Sequence, residues 1–541
     1  MKHAYLKELQ NRLLGSVTDD ADVLEQFATD QSLFRATPAA VAYPQNTADV
    51  RHIVEFAADH AGAGRAIPLT ARGLGGSQTG GAVGEGLQVV FAAHMNKILH
   101  LERDSVTVQP GITLQSLQQS LFTHLKYIPQ LPSAGEYATV GGAVATGTAG
   151  ERAVKYGPIR NAVKSLKVVL ADGTVIRTGR ISARELSRRK GYSTLEGELY
   201  RQVDSLLLDH EDLIKSRQIS GVPNTAGYDL WSVRGRGGSF DLTPLFIGAE
   251  GTLGLITEVT LAVTSYNPRT TLVAGYFDSV LGAGEAVGRL LSLQPSAVEL
   301  VDRQLLEFHH GLFPADLETV LPDELPAVVV LAEFDNPSQF TQRLRSTRAV
   351  RLMRRHGAVV RVSTDPLEQV GMWKLRRGTV ATWAGHGPKK ALPFMEDAAV
   401  PVEKLPQLLE KTYKLLRQHD LEPAMWGHAG IGNVRLQPRL DLGKKKDVDK
   451  LFTLNREYTE LVASLGGTPS STHGDNPLRA LTLPKLYGEE FCGLLAGIKQ
   501  AFDPQDIFNP GQKTGLTEES VRARLRGEFA TGRVTSYVYY T

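Results

Sequence analysis

The sequence predicts an α+β fold in two domains. Its 541 residues exceed the length at which a single hydrophobic core stops growing, roughly 250–300 residues. In the first half, short apolar runs typical of strands are grouped and do not strictly alternate with helical segments. Near Asn267–Pro268 the pattern changes, and strands and helices then take turns, with polar and apolar residues alternating in the strands. We therefore expect a second α+β domain built on an antiparallel sheet with one covered face.

Composition excludes several classes of protein. Hydrophobic residues make up 42% of the chain and charged residues 22%, which rules out a disordered or fibrous protein. A formal net charge of +2 gives no reason to expect nucleic acid as a partner. The single cysteine, Cys492, excludes an intramolecular disulfide and a cysteine-ligated iron–sulfur cluster within this chain. Without a visible signal peptide or transmembrane segment, we expect a cytoplasmic protein whose membrane contact, if it has any, is peripheral.

Local patterns predict the elements of the first domain in order. Leucines at helical spacing near the N-terminus indicate a short helix, and 39–58 reads as a strand, a turn and a helix with Thr47 as N-cap. An Asp-Gly pair predicts a hairpin over 163–179, and 245–263 is predicted to run strand, glycine turn, strand. The remaining strands are predicted at 66–73, 87–92 and 105–111, and the remaining helices at 113–125 and 196–217.

The second domain is predicted in the same way. Its strands are expected at 270–277, 297–302, 326–334 and 358–364, and its helices at 280–293 and 337–356. A helix, a turn and a Pro-terminated loop are expected over 498–512.

Glycine marks three candidate ligand loops. The chain has 53 glycines, and they cluster, which is typical of backbone that turns sharply or lies close to a ligand. TARGLGGSQTGGAVG at 70–84 offers backbone N–H groups, the hydroxyls of Ser77 and Thr79 and the charge of Arg72 to an anion; a flexible surface loop is the alternative. The loop at 132–157 is long and neutral, so a flat cofactor would be able to lie against it. FIGAEGTLGLITE at 246–258 has glycines three apart, and a tight hairpin bulge is its alternative.

These loops, in this order, carry a resemblance to a known family. TARGLGGSQTGGAV, PSAGEYATVGGAVATGTAG with its following KYG, and FIGAEGTLGLITE resemble the flavin domain of the vanillyl-alcohol oxidase / p-cresol methylhydroxylase superfamily. FMEDAAVP, GHAGIGNV and FDPQDIFNPGQ continue the resemblance, which covers about residues 20 to 515 and is greatest to the branch of D-lactate dehydrogenase and the glycolate oxidase flavin subunit. Gly147 stands where that branch commonly has asparagine, and Ala249 where it has serine.

The resemblance implies a flavoprotein that binds FAD. An FAD-binding domain of two α+β subdomains is expected over 1–266, an antiparallel-sheet cap over 267–500, and a return to the FAD domain with a tail over 501–541. Because the first loop has no histidine and Cys492 lies far from it, we expect the FAD to be non-covalent. The residues expected to bind it are Arg72, Gly73, Gly75, Gly76, Ser77, Gly80, Gly81, Pro132, Gly141, Gly142, Thr146, Gly150, Tyr156, Gly157, Glu250, Gly251, Gly254, Ile256 and Asn509.

The match to the family weakens at the implied substrate site. The branch holds a divalent metal with a histidine, a second histidine seven residues on, and a glutamate before the catalytic histidine. Here His428 and the catalytic His473 are present, but Arg435 and Thr472 replace two ligands. We expect no metal, and a guanidinium that binds a substrate carboxylate in its place. In the alternative, Arg435 only pairs with a neighbour and the substrate is not a 2-hydroxy acid.

Three further residues complete the implied site. Arg376 matches a position that contacts the substrate carboxylate, and a surface helix charge is its alternative. Glu396 and Asp397 stand where the branch has acidic residues in this cleft, and a solvated loop is their alternative. His428, Arg435, Arg376 and Glu396 are thus expected to act with His473 as the general base.

The resemblance implies an FAD-dependent oxidoreductase that oxidises the CH–OH group of a small 2-hydroxy carboxylate. Two other readings stay open: an FAD-binding subunit of a larger redox complex, and a divergent flavoenzyme with another substrate. The acceptor of the electrons is left open among a quinone, a cytochrome, an iron–sulfur subunit and O₂, and a homodimer is left open as well.

Overall fold

A computed structural model of the protein describes residues 3–132, 135–377 and 389–526. The part of the predicted C-terminal tail from residue 527 onwards lies outside the described residues.

The first part of the chain forms small sheets with helices packed on them. Its strands are β1 Ser16–Thr18, β2 Ala40–Tyr43, β3 Leu69–Arg72, β4 Leu87–Val90, β5 Ile98–Leu101, β6 Ser105–Val108, β7 Lys126–Tyr127, β8 Val163–Val169, β9 Val175–Arg177, β10 Leu255–Ala262 and β11 Thr264–Ser265. Its helices are α1 His3–Gln10, α2 Ala21–Phe27, α3 Thr47–Gly62, α4 Leu114–Phe122, α5 Val140–Thr146, α6 Ala153–Tyr156, α7 Ala183–Lys190, α8 Leu195–Asp209, α9 Glu211–Ser216 and α10 Thr243–Phe246.

These strands build two subdomains, as predicted. One sheet has the order β1-β2-β4-β3, in which β2, β4 and β3 are parallel and β1 is antiparallel. The other is antiparallel, in the order β5-β6-β10-β8-β9, and the Asp-Gly hairpin joins its strands β8 and β9. Each sheet has its own buried apolar cluster. The two layers meet where the glycine loops lie.

Three local predictions for the first part need correction. Asn46, not Thr47, is the N-cap of α3, because its side chain accepts hydrogen bonds from the N–H groups of Ala48 and Asp49. The long second loop contains α5 and α6, since a run of small residues after the N-cap Thr139 is able to coil. Only the second half of 245–263 is a strand.

The reason for that last difference is backbone conformation in the third loop. Pro244 is the second residue of the short helix α10, and its fixed φ suits a first helical turn. The chain then takes left-handed φ values at Gly248, Glu250 and Gly251, which no strand accommodates. The segment between α10 and β10 is therefore a loop and not the first strand of a hairpin.

The second part of the chain forms one large sheet. Its strands are β12 Thr271–Phe277, β13 Ala297–Asp302, β14 Val328–Phe334, β15 Val359–Ser363, β16 Lys390–Ala391, β17 Met395–Ala399, β18 Ala424–Gly427, β19 Asn433–Gln437 and β20 Arg439–Leu440. Its helices, with those that follow it, are α11 Val280–Leu290, α12 Arg303–Leu312, α13 Pro314–Leu317, α14 Gln339–Arg355, α15 Pro366–Arg377, α16 Leu405–Gln418, α17 Lys445–Ser464, α18 Pro477–Ala480, α19 Leu483–Tyr487, α20 Glu489–Phe502 and α21 Glu518–Ala523.

Seven of these strands pair in the order β15-β12-β14-β13-β18-β19-β17, and every pair is antiparallel. The prediction of an antiparallel sheet is confirmed, but the prediction of one covered face is wrong. Helices α11, α14 and α16 pack on one face and α12 and α15 on the other, so every residue of β12, β13 and β14 is buried.

The chain returns to the first part earlier than residue 501. Leu483, Tyr487 and Phe491 are buried in the same apolar cluster as α8 and α10. Phe502 packs edge-on against Phe246, with 5.4 Å between the ring centroids. The return therefore begins near residue 480, because α19 and α20 complete the core of the antiparallel subdomain. Among the helices described, none has the length and apolar character needed to cross a bilayer.

Candidate active site

The three glycine loops and the edge of the large sheet enclose a cavity of about 360 Å³. Most of the predicted residues line it. From the loops these are Arg72, Gly73, Gly75, Gly76, Ser77, Gly81, Pro132, Gly141, Gly142, Thr146, Glu250, Gly251, Gly254 and Ile256. From the cap they are Arg376, His428, Arg435 and His473.

Six predicted residues are absent from this lining: Gly80, Gly150, Tyr156, Gly157, Asn509 and Glu396. Asn509 donates hydrogen bonds to the carbonyls of Gly81 and Glu250 and so joins the first loop to the third. Tyr156 donates to Asp335 of the cap, at 2.5 Å. Asn509 and Tyr156 thus lie outside the cavity lining and stabilise the segments around it.

Glycine in the first loop is required by close contact with the second loop. A Cβ at Gly73 would lie 2.4 Å from Oγ1 of Thr139, and one at Gly76 would lie 2.5 Å from the carbonyl oxygen of Tyr137. Real Cβ atoms do not approach that closely, so a side chain at either position pushes the loops apart. Both loops therefore form one continuous wall of backbone and small side chains.

Arg72 braces the first loop from its cavity side. Its guanidinium donates to the carbonyl oxygens of Phe27, Thr29 and Ala82 at 2.8–3.2 Å. It braces the first loop and is already held by these acceptors. Its positive charge remains at the cavity wall, where Arg72 is one of the lining residues.

The chemistry of the lining fits a flavin dinucleotide. Glycine and alanine predominate along the loops, with the hydroxyls of Ser77, Thr79 and Thr146 among them. Such a wall admits a flat ring and brings backbone N–H groups close to a phosphate. The loop residues above are those that would hold FAD.

At the cap end, four side chains form a hydrogen-bonded chain. Nε of Arg376 donates to Glu299 at 2.6 Å, and Nδ1 of His428 lies 2.8 Å from the other oxygen of Glu299. Nη2 of Arg435 lies 3.0 Å from Nε2 of His428. Three of them come from neighbouring strands of the large sheet: Glu299 on β13, His428 directly after β18, and Arg435 on β19. Arg376 comes from α15, which packs on one face of that sheet.

This chain fixes the protonation of His428. A guanidinium only donates, so Nε2 of His428 accepts from Arg435 and the ring proton stays on Nδ1, facing Glu299. Burial and the charges of Arg435 and Arg376 lower the pKa of His428 well below its usual value. The ring is therefore neutral, with both nitrogens occupied. Burial raises the pKa of Glu299 to about 8 against the charge of Arg376.

His473 is differently placed. Its backbone N–H donates to Asp397 at 2.8 Å, and its Nδ1 has no hydrogen-bond partner among the described residues. Burial, followed by the charge of Arg435, lowers the pKa of His473 well below its usual value. It is thus a neutral imidazole at the cavity wall with a free nitrogen.

The two acidic residues of β17 lie inside the cap. Asp397 accepts from the N–H groups of Thr472 and His473 and from the Thr472 hydroxyl, so it holds the turn that carries His473. Glu396 pairs with the buried Arg479. The alternative of a solvated loop is wrong, because both carboxyls are buried in a strand. The structure does not bring Glu396 to the cavity as predicted.

Arg435 occupies the space between the positions implied for metal ligands. Its Nη2 lies 3.0 Å from His428 and 3.2 Å from Oγ1 of Thr472. In the described ranges, no group of three or more histidine, cysteine, aspartate or glutamate side chains is arranged to hold a metal ion. The residues present do not fit the ligand set of the family.

Arg376 is buried and paired with Glu299, so its alternative as a surface charge is wrong. Sequence reasoning missed Glu299. The available signal was a single carboxylate in the apolar strand segment AVELVD, since a buried charge needs a partner.

Comparisons with known proteins match two long ranges of the chain. Residues 38–179 match the family described as "FAD binding domain", and residues 267–512 match "FAD linked oxidases, C-terminal domain". A D-2-hydroxyglutarate dehydrogenase from Pantoea ananatis is 29% identical over 92% of this chain and 50% of its own length. The chain thus spans about half the length of the D-2-hydroxyglutarate dehydrogenases it matches.

A second relative has nearly the length of this chain. The glycolate oxidase subunit GlcD from Bacillus subtilis is 28% identical over 88% of this chain and 89% of its own length. Among solved structures, a substrate-bound p-cresol methylhydroxylase has a TM-score of 0.67 at 16% identity, over 94% of this chain and 96% of its own. That likeness establishes the shared fold. The two matches, in the order in which they occur along the chain, give it an FAD-binding domain followed by the C-terminal domain of FAD-linked oxidases.

Proposed function

We propose that the chain is an FAD-dependent oxidoreductase that oxidises the CH–OH group of a small 2-hydroxy carboxylate. One observation carries the proposal: His473, Arg435 and Arg376 line the same cavity as the three glycine loops. The names of the relatives, D-2-hydroxyglutarate dehydrogenase and glycolate oxidase subunit, support this class of substrate.

In the proposed reaction, Arg435 binds the substrate carboxylate. No carboxylate lies within ion-pair distance of Arg435 among the residues described, whereas Arg376 is already paired with Glu299. A guanidinium and a carboxylate form two parallel charge-assisted hydrogen bonds. Arg435 thereby takes the place that a metal has in the family, and Arg376 adds positive charge beside it.

His473 is the proposed general base. Its neutral imidazole accepts the hydroxyl proton. His428 has no free lone pair, so its role is to position Arg435. FAD, when bound, supplies the hydride acceptor. The carboxylate of the substrate offsets the charge of Arg435 next to the newly protonated His473.

The FAD is proposed to be non-covalent. Cys492 lies on α20, absent from the cavity lining, and burial raises the pKa of its thiol to about 11. Of the described residues, His428 and His473 are the histidines of the lining, and both are assigned to the substrate end. A cytoplasmic location is proposed from the single cysteine.

A second candidate is a flavin subunit of a larger redox complex. It is supported by relatives of twice this length and by a relative named as a subunit. In that case electrons pass to a partner, and a quinone, a cytochrome, an iron–sulfur subunit or O₂ is the acceptor.

Anaerobic bleaching of the bound flavin tests the proposal. The purified protein should be yellow, acid precipitation should release FAD into the supernatant, and a panel of 2-hydroxy carboxylates should contain one that bleaches the flavin. Flavin in the protein pellet contradicts non-covalent binding. A panel without any bleaching, in a protein that reduces chemically, contradicts the proposed substrate class.

A further inference from the structure

Helix α14 carries a strongly basic face that lies outside the cavity. Its 17 residues include six arginines and no acidic residue. Gln342, Ser346, Ala349 and Met353 are buried at helical spacing and point toward the large sheet. The opposite face of the helix is exposed.

The composition of that exposed face is unusual. After the first residue of the helix, the exposed positions are Phe340, Arg343, Leu344, Thr347, Arg348, Arg351, Arg354 and Arg355. At 3.6 residues per turn they fall within an arc of about 140°. We call this set the basic face. Five guanidinium groups therefore point into solvent side by side.

The arginines of the basic face have no ion-pair partner in the ranges that the structure describes. The sixth arginine, Arg345, donates to the side chain of Gln294. On the adjacent helix α11, Glu285 lies 3.7 Å from His356. Cations three and four residues apart on a helix repel one another. The basic face thus forms no stabilising ion pair within the described residues, and its charge is complementary to an anionic surface outside the chain.

Large apolar side chains lie at the N-terminal end of the basic face. Phe340 is 79% exposed, and Leu344, one turn later, is 41% exposed.

Phe340 and Leu344 thus project at one end of a row of arginines. Projecting apolar groups and spread cations are typical of a surface that rests on a membrane, whereas a docked peptide needs a groove.

We propose that the basic face docks on a bilayer of anionic lipid. The five guanidinium groups bind lipid phosphates along a helix about 25 Å long, and Phe340 inserts among the headgroups. This inference goes beyond the proposed oxidoreductase function and does not rest on it.

Flotation of the purified full chain with vesicles tests the proposal. The vesicles contain phosphatidylcholine alone or with about 30% phosphatidylglycerol, a typical anionic content for such assays. The protein should bind the anionic vesicles only, and rising salt should release it. Arg348→Glu/Arg351→Glu/Arg355→Glu should weaken binding roughly 100-fold or more, since each cation near the surface contributes about fivefold. Phe340→Ala should weaken it with little change in salt dependence.

A matched control has the same change in net charge elsewhere. Arg184, Arg217 and Arg236 are exposed and lie on the FAD-binding part of the chain. Their triple change to glutamate should leave vesicle binding within a fewfold of the parent, and the flavin content of both triple variants should be unchanged. Equal losses in the two triple variants overturn the proposal, because net charge alone then explains binding. So does failure of the parent to bind anionic vesicles at low salt; capture on poly-glutamate instead would assign the face to an acidic protein.

Discussion

Arg435 illustrates how one side chain sets the chemistry of a site. It stands on β19 opposite Trp426 of β18, where the antiparallel pairing points it at His428. Burial and the charge of Arg376 lower the pKa of Arg435 to about 10, so it stays charged at neutral pH, but no carboxylate among the described residues lies within ion-pair distance of it. An anionic substrate supplies that negative charge.

Replacing Arg435 tests this role. Arg435→Ala should raise KM for a 2-hydroxy carboxylate by about 10- to 100-fold, because a charge-assisted pair contributes roughly 1.5–3 kcal/mol. Arg435→Lys should rescue little, since an ammonium lacks the planar fork. Steady-state kinetics measure both, with flavin content as the control. An unaltered KM in Arg435→Ala would remove Arg435 from substrate binding and leave the FAD assignment intact.

The same position predicts the response to metal. We expect no stoichiometric divalent metal in the purified protein and no loss of activity in a chelator. Arg435→His combined with Thr472→Glu should create a zinc or manganese site with His428. The two replaced side chains are already close to it: Nη2 of Arg435 lies 3.0 Å from Nε2 of His428 and 3.2 Å from Oγ1 of Thr472. Elemental analysis and calorimetry measure the binding. The reading of Arg435 in place of metal fails if the parent chain already holds near-unit metal and a chelator inactivates it.

The pH profile reports on His473. Its pKa lies well below the usual 6.5, so the base stays neutral as pH falls and loses activity only when pH passes through that lowered value. We expect kcat/KM to be constant from about pH 8 down to about pH 6.5. Arg435→Ala removes a repulsive charge and should shift the acidic limb upward. A parent profile with its midpoint near 6.5 would contradict the assignment.

At the scale of elements, the site depends on how closely the loops approach. Gly73 and Gly76 leave no room for a Cβ against the second loop, and Gly80 combines a left-handed φ of 79° with a Cβ position 2.5 Å from Phe34. Asn509 then joins the first loop to the third. Glycine is needed here chiefly for contact between loops.

Valine at these positions should therefore empty the cofactor site. Gly76→Val or Gly80→Val should lower bound flavin several-fold while the helical circular dichroism changes little. Gly493→Val is the matched control, because a Cβ there meets nothing within 4 Å on an exposed face of α20. Full flavin stoichiometry in the loop variants would show that the loops do not form the cofactor wall.

At the scale of the whole molecule, two ion pairs hold the cap on the FAD-binding part. Arg152 forms a bidentate pair with Glu333 of β14 at 2.8 Å, and Lys155 pairs with Asp335 at 2.5 Å. Both cations come from the end of the second glycine loop. Their position fixes the distance between the loop wall and the guanidinium groups of the cap.

Arg152→Ala should loosen this contact. Glu333 is 1% exposed, so losing its cation should cost about 2 kcal/mol, less than the roughly 3–5 kcal/mol typical of fully buried pairs because Arg152 is one-third exposed. Urea denaturation measures the loss, and KM for the substrate should rise with it. Arg184→Ala, an exposed arginine without an ion pair in the described residues, should change neither. Equal denaturation midpoints for Arg152→Ala and the parent chain would show that the pair does not hold the cap.

The sequence by itself determined the class of fold, the FAD-binding loops and the change of pattern near residue 267. Apolar periodicity and glycine spacing are local properties, so they are readable without the fold. The sequence alone also shows that positions 435 and 472, which the resemblance aligns with metal ligands, hold arginine and threonine instead.

Only the tertiary structure decided which faces are buried and which side chains meet. The covering of both faces of the large sheet depends on helices distant in sequence. Glu299 joins Arg376 and His428 across 77 and 129 residues of chain, and no local pattern encodes such separations. The tautomer of His428 follows from those contacts, because a titratable group takes its state from whatever the fold packs against it. Glu396 lies away from the cavity, paired with the buried Arg479, which is 83 residues further along the chain.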